Sequence, residues 1–187
     1  FEEYYGINYP GSKLDLIAVP DFAMGAMENV GAVTFRETLL LIDVEKATRS
    51  ELSRSVSVIA HELAHMWFGD LVTMDWWDGI WLNEAFASLM EVIASEATYP
   101  EFKLWNEMNQ DRSRGFGVDS LKSSRPVEFE VKSPEEAEEM FDVLTYQKGS
   151  TVLRMFETFI GEENFKEGVR SYLKKYEYKN THSSDLW

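Results

Sequence analysis

Two histidines and two glutamates carry the clearest chemical signal in this sequence. The run reads His61-Glu62-Leu63-Ala64-His65, and Glu84 follows in the segment Trp81-Leu82-Asn83-Glu84. On a helix, side chains at positions i and i+4 share one face, so His61 and His65 are placed to hold one metal ion. With Glu84 as the third ligand, the set is typical of a catalytic zinc site that keeps a fourth position for water.

Glu62 is predicted to act beside this metal rather than to bind it. It lies about 100° around the helix axis from His61, where it can take a proton from a water molecule whose pKa zinc lowers to about 7. The same pattern occurs by chance on amphipathic helices, and the histidines would then be ordinary core residues. The metal site is favoured because two of the chain's 3 histidines lie in this motif.

Glu91 is a candidate partner for a ligand histidine. It follows Glu84 by about two helical turns and therefore lies on the same helical face, where it can accept the free ring N–H of an imidazole. The alternative is a solvated surface glutamate. Asn83 and Asp70 are further candidates for such a supporting role near the metal.

Helical periodicity predicts the elements that position these residues. Apolar residues recur every three or four positions from Leu52 to Met66, and Thr48-Arg49-Ser50-Glu51 fits a capping box. We therefore expect one helix to begin after Thr48 and to stop at Gly69. A second helix is expected from about Leu82 to Ala97. Three more are expected at about 100–115, 145–160 and 162–178.

The first quarter of the chain is predicted to form strands. Residues 14–19, 32–37 and 38–43 are rich in β-forming side chains, and a glycine-bearing turn spans residues 25–31. Strands followed by helices predict an α+β fold.

Composition excludes several classes of function. The chain has 187 residues, of which 44% are hydrophobic, enough for one domain with a core. The formal net charge of −15 argues against nucleic acid and anionic membranes as partners. The absence of cysteine excludes disulfides, thiolate metal sites and cysteine nucleophiles.

No apolar run approaches the length of a membrane span, and no signal peptide is visible. Together with the lack of cysteine and of a glycosylation sequon, this favours a cytoplasmic location, although the sequence leaves the compartment open. The chain begins at Phe1, and residues 183–187 look like an interrupted helix start. We therefore expect a piece of a longer protein.

A second motif, Gly25-Ala26-Met27-Glu28-Asn29, precedes the histidines. Its small residues allow close approach to an extended ligand, beside which Glu28 offers a negative charge. On these residues alone, an ordinary turn with a solvated glutamate is the simpler interpretation.

The two motifs together, with Pro20-Asp21-Phe22 and residues 67–73 around them, resemble the zinc aminopeptidase family of the aminopeptidase N type. The resemblance covers nearly the whole chain. It implies a thermolysin-like zinc metallopeptidase domain, with a small mixed sheet packed beside a mostly helical lobe. Residues 1–97 would hold the sheet and the zinc-site helices, and residues 98–187 the helical lobe.

The resemblance also implies roles for individual residues. Glu28 would bind the α-ammonium group of a peptide, and the backbone of the Gly25, Ala26 and Met27 segment would align the substrate. Met24 and Phe141 would line the first side-chain pocket, and neutral residues such as Ala, Leu or Met are the expected occupants. Tyr146 would donate a hydrogen bond to the oxyanion beside zinc.

The expected activity is therefore hydrolysis of the N-terminal residue from peptides with a free N-terminus, with one Zn²⁺ per chain. Val30 and Arg125-Pro126 depart from the family pattern, and the second departure is expected to touch a loop and not the chemistry. The family also places flanking domains before and after this one, which help to bind substrate. The alternatives are a thermolysin-like endopeptidase, a zinc-bearing module that binds peptide without cleaving it, and the family's epoxide-hydrolysing branch.

Overall fold

The computed structural model describes residues 1–187, the whole chain. The strands are β1 (Asp15–Val19), β2 (Ala26–Met27), β3 (Ala32–Arg36), β4 (Val72–Met74) and β5 (Lys179–Thr181). The α-helices are α1 (Glu2–Tyr5), α2 (Glu37–Leu40), α3 (Arg49–His65), α4 (Ile80–Thr98), α5 (Leu104–Asp119), α6 (Pro134–Ala137), α7 (Gly149–Ile160) and α8 (Glu162–Tyr176). A π-helical turn, Leu144–Lys148, leads directly into α7.

The strands form two small sheets. The first has the order β1-β3-β2, in which β1 and β3 are parallel and β2 is antiparallel to β3. The second pairs β4 with β5 in parallel. Small sheets beside a helical majority confirm the predicted mixed α+β class.

The strand predicted over residues 38–43 is wrong. The chain leaves the sheet at Arg36, whose guanidinium donates hydrogen bonds to the carbonyls of Phe22 and Ala23, and it then forms α2. Leu39 and Leu40 pack against the core as one face of this short helix, and the Ser55 hydroxyl on α3 donates to the Leu39 carbonyl. The apolar run is thus only partly buried, through one face of a short helix rather than through a third strand, and Leu41 at the end of the helix is exposed.

The helix α3 begins where the capping box predicts. The Thr48 side chain accepts a hydrogen bond from the Glu51 backbone N–H, and the Glu51 carboxylate accepts one from the Thr48 backbone N–H. The helix ends at His65, earlier than the predicted stop at Gly69. Gly69 has φ +130°, a backbone conformation that favours glycine, and it redirects the chain into β4.

The helix α4 lies in the centre of the molecule. It begins at Ile80, slightly before the predicted start, and the residues from Ile80 to Ala87 are all buried. It packs closely against α3 and α7. A helix that is apolar on most of its surface is stabilised by burial on several sides, and this burial fixes the direction of its few polar side chains.

The later helices α5 and α7 begin after their predicted starts, and α5 also ends at Asp119, beyond the predicted end near residue 115. Pro100–Phe102 forms a 3₁₀ turn, and α5 begins only at Leu104. Residues 144–148 form the π-helical turn before α7 rather than the first turn of an α-helix. None of the helices is both long and apolar enough to cross a membrane.

Candidate metal centre and peptide cleft

The packing of α3 against α4 brings three donor atoms together. His61 Nε2 lies 3.1 Å from His65 Nε2 and 3.2 Å from Glu84 Oε2. The third side of the triangle, from His65 Nε2 to Glu84 Oε2, measures 3.3 Å. His65 and Glu84 are almost completely buried, at 1% and 5% exposure.

This triangle fits a zinc ion. Tetrahedral zinc with ligand distances of about 2.0–2.1 Å separates its ligand atoms by about 3.3 Å. Two imidazole nitrogens and one carboxylate oxygen match the ligand types of catalytic zinc, whereas calcium requires oxygen ligands. Each of the three residues offers one ligand atom, and these atoms all lie within 4.8 Å of one another, close enough to hold one metal ion.

The other ring nitrogen of each histidine has a partner that sets the orientation of the ring. His61 Nδ1 lies 2.8 Å from Glu91 Oε2, and Glu91 also accepts a hydrogen bond from the Ser57 hydroxyl. His65 Nδ1 lies 2.8 Å from the carbonyl oxygen of Phe68. Donation from Nδ1–H leaves each Nε2 lone pair directed at the centre of the triangle. The Phe68 carbonyl was not anticipated, because a backbone acceptor leaves no mark in the sequence.

Opposite charges inside the triangle stabilise one another. Burial lowers the pKa of His61, but hydrogen bonds to Glu84 and Glu91 outweigh it and raise that pKa well above its ordinary value. Burial likewise opposes ionisation of Glu84, yet the neighbouring His65 and His61 hold its pKa below the ordinary range. Glu84 is therefore a carboxylate that is ready to act as a ligand.

Glu62 lies beside the triangle and faces the same cleft. Its side chain is buried, with 6% of the residue exposed. Burial raises the pKa of the Glu62 carboxyl to about 7, although His61 and His65 act in the opposite direction. It has no hydrogen-bond partner that would hold it away from a bound ligand.

A cleft of about 630 Å³ contains nearly all the predicted site residues. Gly25 and Glu91 are the exceptions: Gly25 accepts a hydrogen bond from the Arg36 backbone through its carbonyl, and Glu91 lies behind His61. The predicted residues that line the cleft are Met24, Ala26, Met27, Glu28, His61, Glu62, His65, Glu84, Phe141 and Tyr146.

The motif at residues 25–29 places a carboxylate and a free strand edge at this cleft. Ala26 and Met27 form β2, which is one of the two edge strands of its sheet. Glu28 Oε1 lies 4.0 Å from His65 Nδ1, next to the triangle. Met24 and Phe141 are 56% and 38% exposed, so both side chains are accessible to an apolar ligand. An unpaired strand edge can bind an extended peptide.

Asp70 adds a further negative charge to the cleft. Burial and the nearby Glu28 raise the pKa of Asp70 to about 7, and its Oδ2 atom is buried without a hydrogen-bond partner. Acidic groups held this close together favour a cationic ligand between them. Thr73, Trp77 and Ile80 also line the cleft, although no site role was predicted for them.

Tyr146 approaches the triangle from the π-helical turn. Its ring stacks on that of His61 with centroids 6.0 Å apart. Burial and the nearby Glu84 carboxylate raise the pKa of Tyr146 well above its ordinary value, so the phenol stays protonated and can donate. His182 does not belong to this site; its exposed ring lies 2.9 Å from Asp75 Oδ2.

Comparison with known proteins identifies a family and several relatives. The peptidase family M1 domain matches residues 1–187. The chain is 50% identical over 187 residues to endoplasmic reticulum aminopeptidase 2 of Homo sapiens, with all of this chain and 20% of that protein covered. It is 45% identical over 187 residues to aminopeptidase M1 of Arabidopsis thaliana, with all of this chain and 21% of that protein covered.

A third relative is archaeal. The leucyl aminopeptidase of Saccharolobus solfataricus is 49% identical over 189 residues, with all of this chain and 24% of that protein covered. The chain thus spans between a fifth and a quarter of the length of these relatives. Because the family match extends over every residue of the chain, this chain belongs to peptidase family M1.

Proposed function

We propose that this chain is the catalytic region of a zinc-dependent aminopeptidase, which removes the first residue from peptides with a free N-terminus. One observation carries the proposal: the His61–His65–Glu84 triangle, Glu62 and Glu28 line the same cleft. The first three would hold one zinc ion per chain. When bound there, zinc supplies Lewis acidity toward the scissile carbonyl and lowers the pKa of water.

Glu62 and Tyr146 are the proposed catalytic side chains. Glu62 takes a proton from the attacking water and later delivers it to the nitrogen of the leaving amine. Tyr146 donates its phenolic hydrogen to the carbonyl oxygen as negative charge develops there. Its raised pKa keeps it a donor throughout the working pH range.

Glu28 is the proposed anchor of the peptide's α-ammonium group, and Glu91 the partner that orients His61. The short distance from Glu28 to His65 supports this role, because an ammonium group bound to Glu28 would lie within one residue of the scissile bond. The free edge of β2 supports alignment of the peptide backbone along Gly25, Ala26 and Met27. Met24 and Phe141 would contact the first side chain.

Three further proposals concern the larger protein. The residues described here would form a single thermolysin-like domain, divided into a sheet-bearing part at 1–97 and a helical lobe at 98–187. Because the relatives are much longer, flanking domains would complete the substrate site. The cytoplasmic location stays a prediction, since one relative is named for the endoplasmic reticulum.

The test compares Ala-, Leu- and Arg-anilides with their N-acetylated counterparts, using the zinc-loaded protein with its natural flanking sequence. We expect cleavage of the free-amine substrates alone. Glu28→Gln should raise KM for the free-amine substrates about 30-fold, equivalent to about 2 kcal/mol. Cleavage of the capped substrates would instead support the endopeptidase, which shares the metal triangle.

A further inference from the structure

We infer that Arg125 and Asp142 form a clasp that positions Tyr146 for catalysis. The inference rests on the proposed function, in which Tyr146 stabilises the developing oxyanion. Arg125 was expected to touch only a loop. Instead its side chain is 11% exposed and points into the segment that carries Tyr146.

Arg125 connects three points around the start of the π-helical turn. Its Nη2 atom donates to Asp142 Oδ1 at 2.6 Å and to Thr145 Oγ1 at 3.0 Å. The same nitrogen lies 3.3 Å from the carbonyl oxygen of Met140. A planar guanidinium holds several acceptors in a fixed arrangement, which a flexible ammonium cannot reproduce.

Asp142 transmits this arrangement to the backbone of the turn. Its Oδ1 atom accepts hydrogen bonds from the backbone N–H of Leu144 at 2.9 Å and of Thr145 at 3.0 Å. Its carbonyl oxygen accepts the backbone N–H of Tyr146 at 3.1 Å. The Asp142 side chain therefore satisfies two consecutive N–H groups that a helical start otherwise leaves free, while its carbonyl accepts the i→i−4 bond from Tyr146.

A second ion pair holds the other end of the turn. Lys148 Nζ donates to Asp119 Oδ1 at 2.6 Å and to the carbonyl oxygen of Arg125 at 3.1 Å. Arg125 thus contacts both ends of a turn of five residues, with Tyr146 at its middle. The wide π-helical turn is an uncommon conformation, and such turns are frequently found at functional sites.

The position of Tyr146 matters because an oxyanion donor must lie within hydrogen-bonding distance of one atom. A shift of about 1 Å at a catalytic group can reduce the rate about 100-fold. Arg125 and Asp142 do not line the cleft. They are positioning residues that act through Tyr146.

The experiment is a double-mutant cycle on the zinc-loaded protein with its natural flanking sequence. The variants are Arg125→Ala, Tyr146→Phe and the double variant, with kcat and KM measured for Leu-anilide. Tyr146→Phe should lower kcat about 100-fold. Arg125→Ala should lower kcat at least tenfold with KM nearly unchanged. The double variant should have a kcat less than about twofold below that of Tyr146→Phe, because no hydroxyl remains to be positioned.

Three further variants complete the experiment. Arg125→Lys retains the positive charge without the planar guanidinium, and its kcat should lie between those of Arg125→Ala and the wild type. Asp142→Asn keeps the shape and should reproduce the kcat loss if Arg125→Ala does not fold. Arg114→Ala, which breaks an exposed pair with Asp111, is the matched control and should leave kcat unchanged. Zinc content is measured for every variant, and affinity for a phosphinic dipeptide, which mimics the tetrahedral state, should weaken in parallel with kcat.

The possible outcomes distinguish failure of the positioning role of Arg125 and Asp142 from failure of the proposed aminopeptidase activity. Normal kcat in Arg125→Ala and Asp142→Asn, or losses that multiply fully with Tyr146→Phe, would overturn the clasp while leaving the aminopeptidase intact. A normal rate in Tyr146→Phe alone would overturn the role of Tyr146 and the clasp together. Loss of zinc from Arg125→Ala would also overturn it, by showing a general structural role.

Discussion

At the scale of single side chains, the chemistry depends on protons and charges that the protein holds in fixed places. His61 and His65 each use Nδ1 for an acceptor behind the ring, so both Nε2 atoms face Glu84. Glu62 lies on the same helix but faces the cleft, where no partner competes for its carboxylate. In the proposed mechanism, this division between three metal ligands and one free carboxylate would allow Glu62 to move a proton.

Replacing Glu62 tests that division most directly. We expect Glu62→Gln to keep zinc and to melt at nearly the wild-type temperature, because the amide fills the same space and the three ligands are untouched. Turnover should fall by a factor of about 10² to 10⁴, the usual contribution of a positioned acid–base group. Glu138→Gln, an exposed glutamate at the same cleft, is the control and should keep its rate. Near-normal turnover in Glu62→Gln would refute the proton-transfer role.

At the scale of elements, the site depends on how closely helices approach one another. Gly149, at the start of α7, lies against α4: a Cβ built on it would come within 2.7 Å of Ala85 Cβ, next to Glu84. That contact places the turn with Tyr146 beside the proposed metal ligands. Glycine is required here for space rather than for an unusual backbone conformation.

Gly149→Ala should therefore damage both stability and activity. Overpacking of this kind costs about 1–3 kcal/mol, and displacement of the turn should lower kcat more than it raises KM. Gly168→Ala in α8 is a matched control, because its added methyl meets nothing within 4 Å. There we expect a stability gain of up to about 1 kcal/mol and no change in kcat. Equal effects of the two substitutions on kcat would contradict this account of Gly149.

The capping box of α3 should give a pH-dependent contribution to stability. Thr48→Ala should cost about 1 kcal/mol at neutral pH. Hydrogen bonds from the Thr48 backbone and side chain lower the pKa of Glu51, so its contribution is present above the ordinary carboxyl pKa and is lost as the pH falls through the lowered value. Urea unfolding at pH 6.5 and below pH 4 should show the difference between wild type and Glu51→Gln shrinking in acid. A difference that grows in acid would contradict the assignment.

At the scale of the whole molecule, the sequence predicted what is local and missed what is long-range. The start of α3 and the shared face of His61 and His65 follow from residues a few positions apart, and so they could be predicted. The strand expected at 38–43 failed because β-forming side chains do not reveal where a sheet ends. Here Arg36 and Ser55 bind distant carbonyls and turn the chain into α2.

The site divides in the same way. The motifs at 25–29 and 61–65 indicated which residues share the cleft, but not the distances between them. The contact of Arg125 with Asp142 joins two segments with a sequence separation of 17, and neither residue belongs to a motif. Acidic Asp70 could be suspected, but its lack of a hydrogen-bond partner depends on burial that only the assembled fold creates.

The central claim is that His61, His65 and Glu84 hold one zinc ion, and its most direct test is the zinc content of the purified protein by native mass spectrometry. We predict one zinc per chain in the wild type, loss of that zinc in His65→Ala and Glu84→Ala, and retention in His182→Ala, which replaces the chain's remaining, exposed histidine. Chelation should also lower the melting temperature of the wild type, because zinc binds only the folded triangle. Absence of zinc from the wild type, or an undiminished zinc content in both ligand variants, would contradict the account.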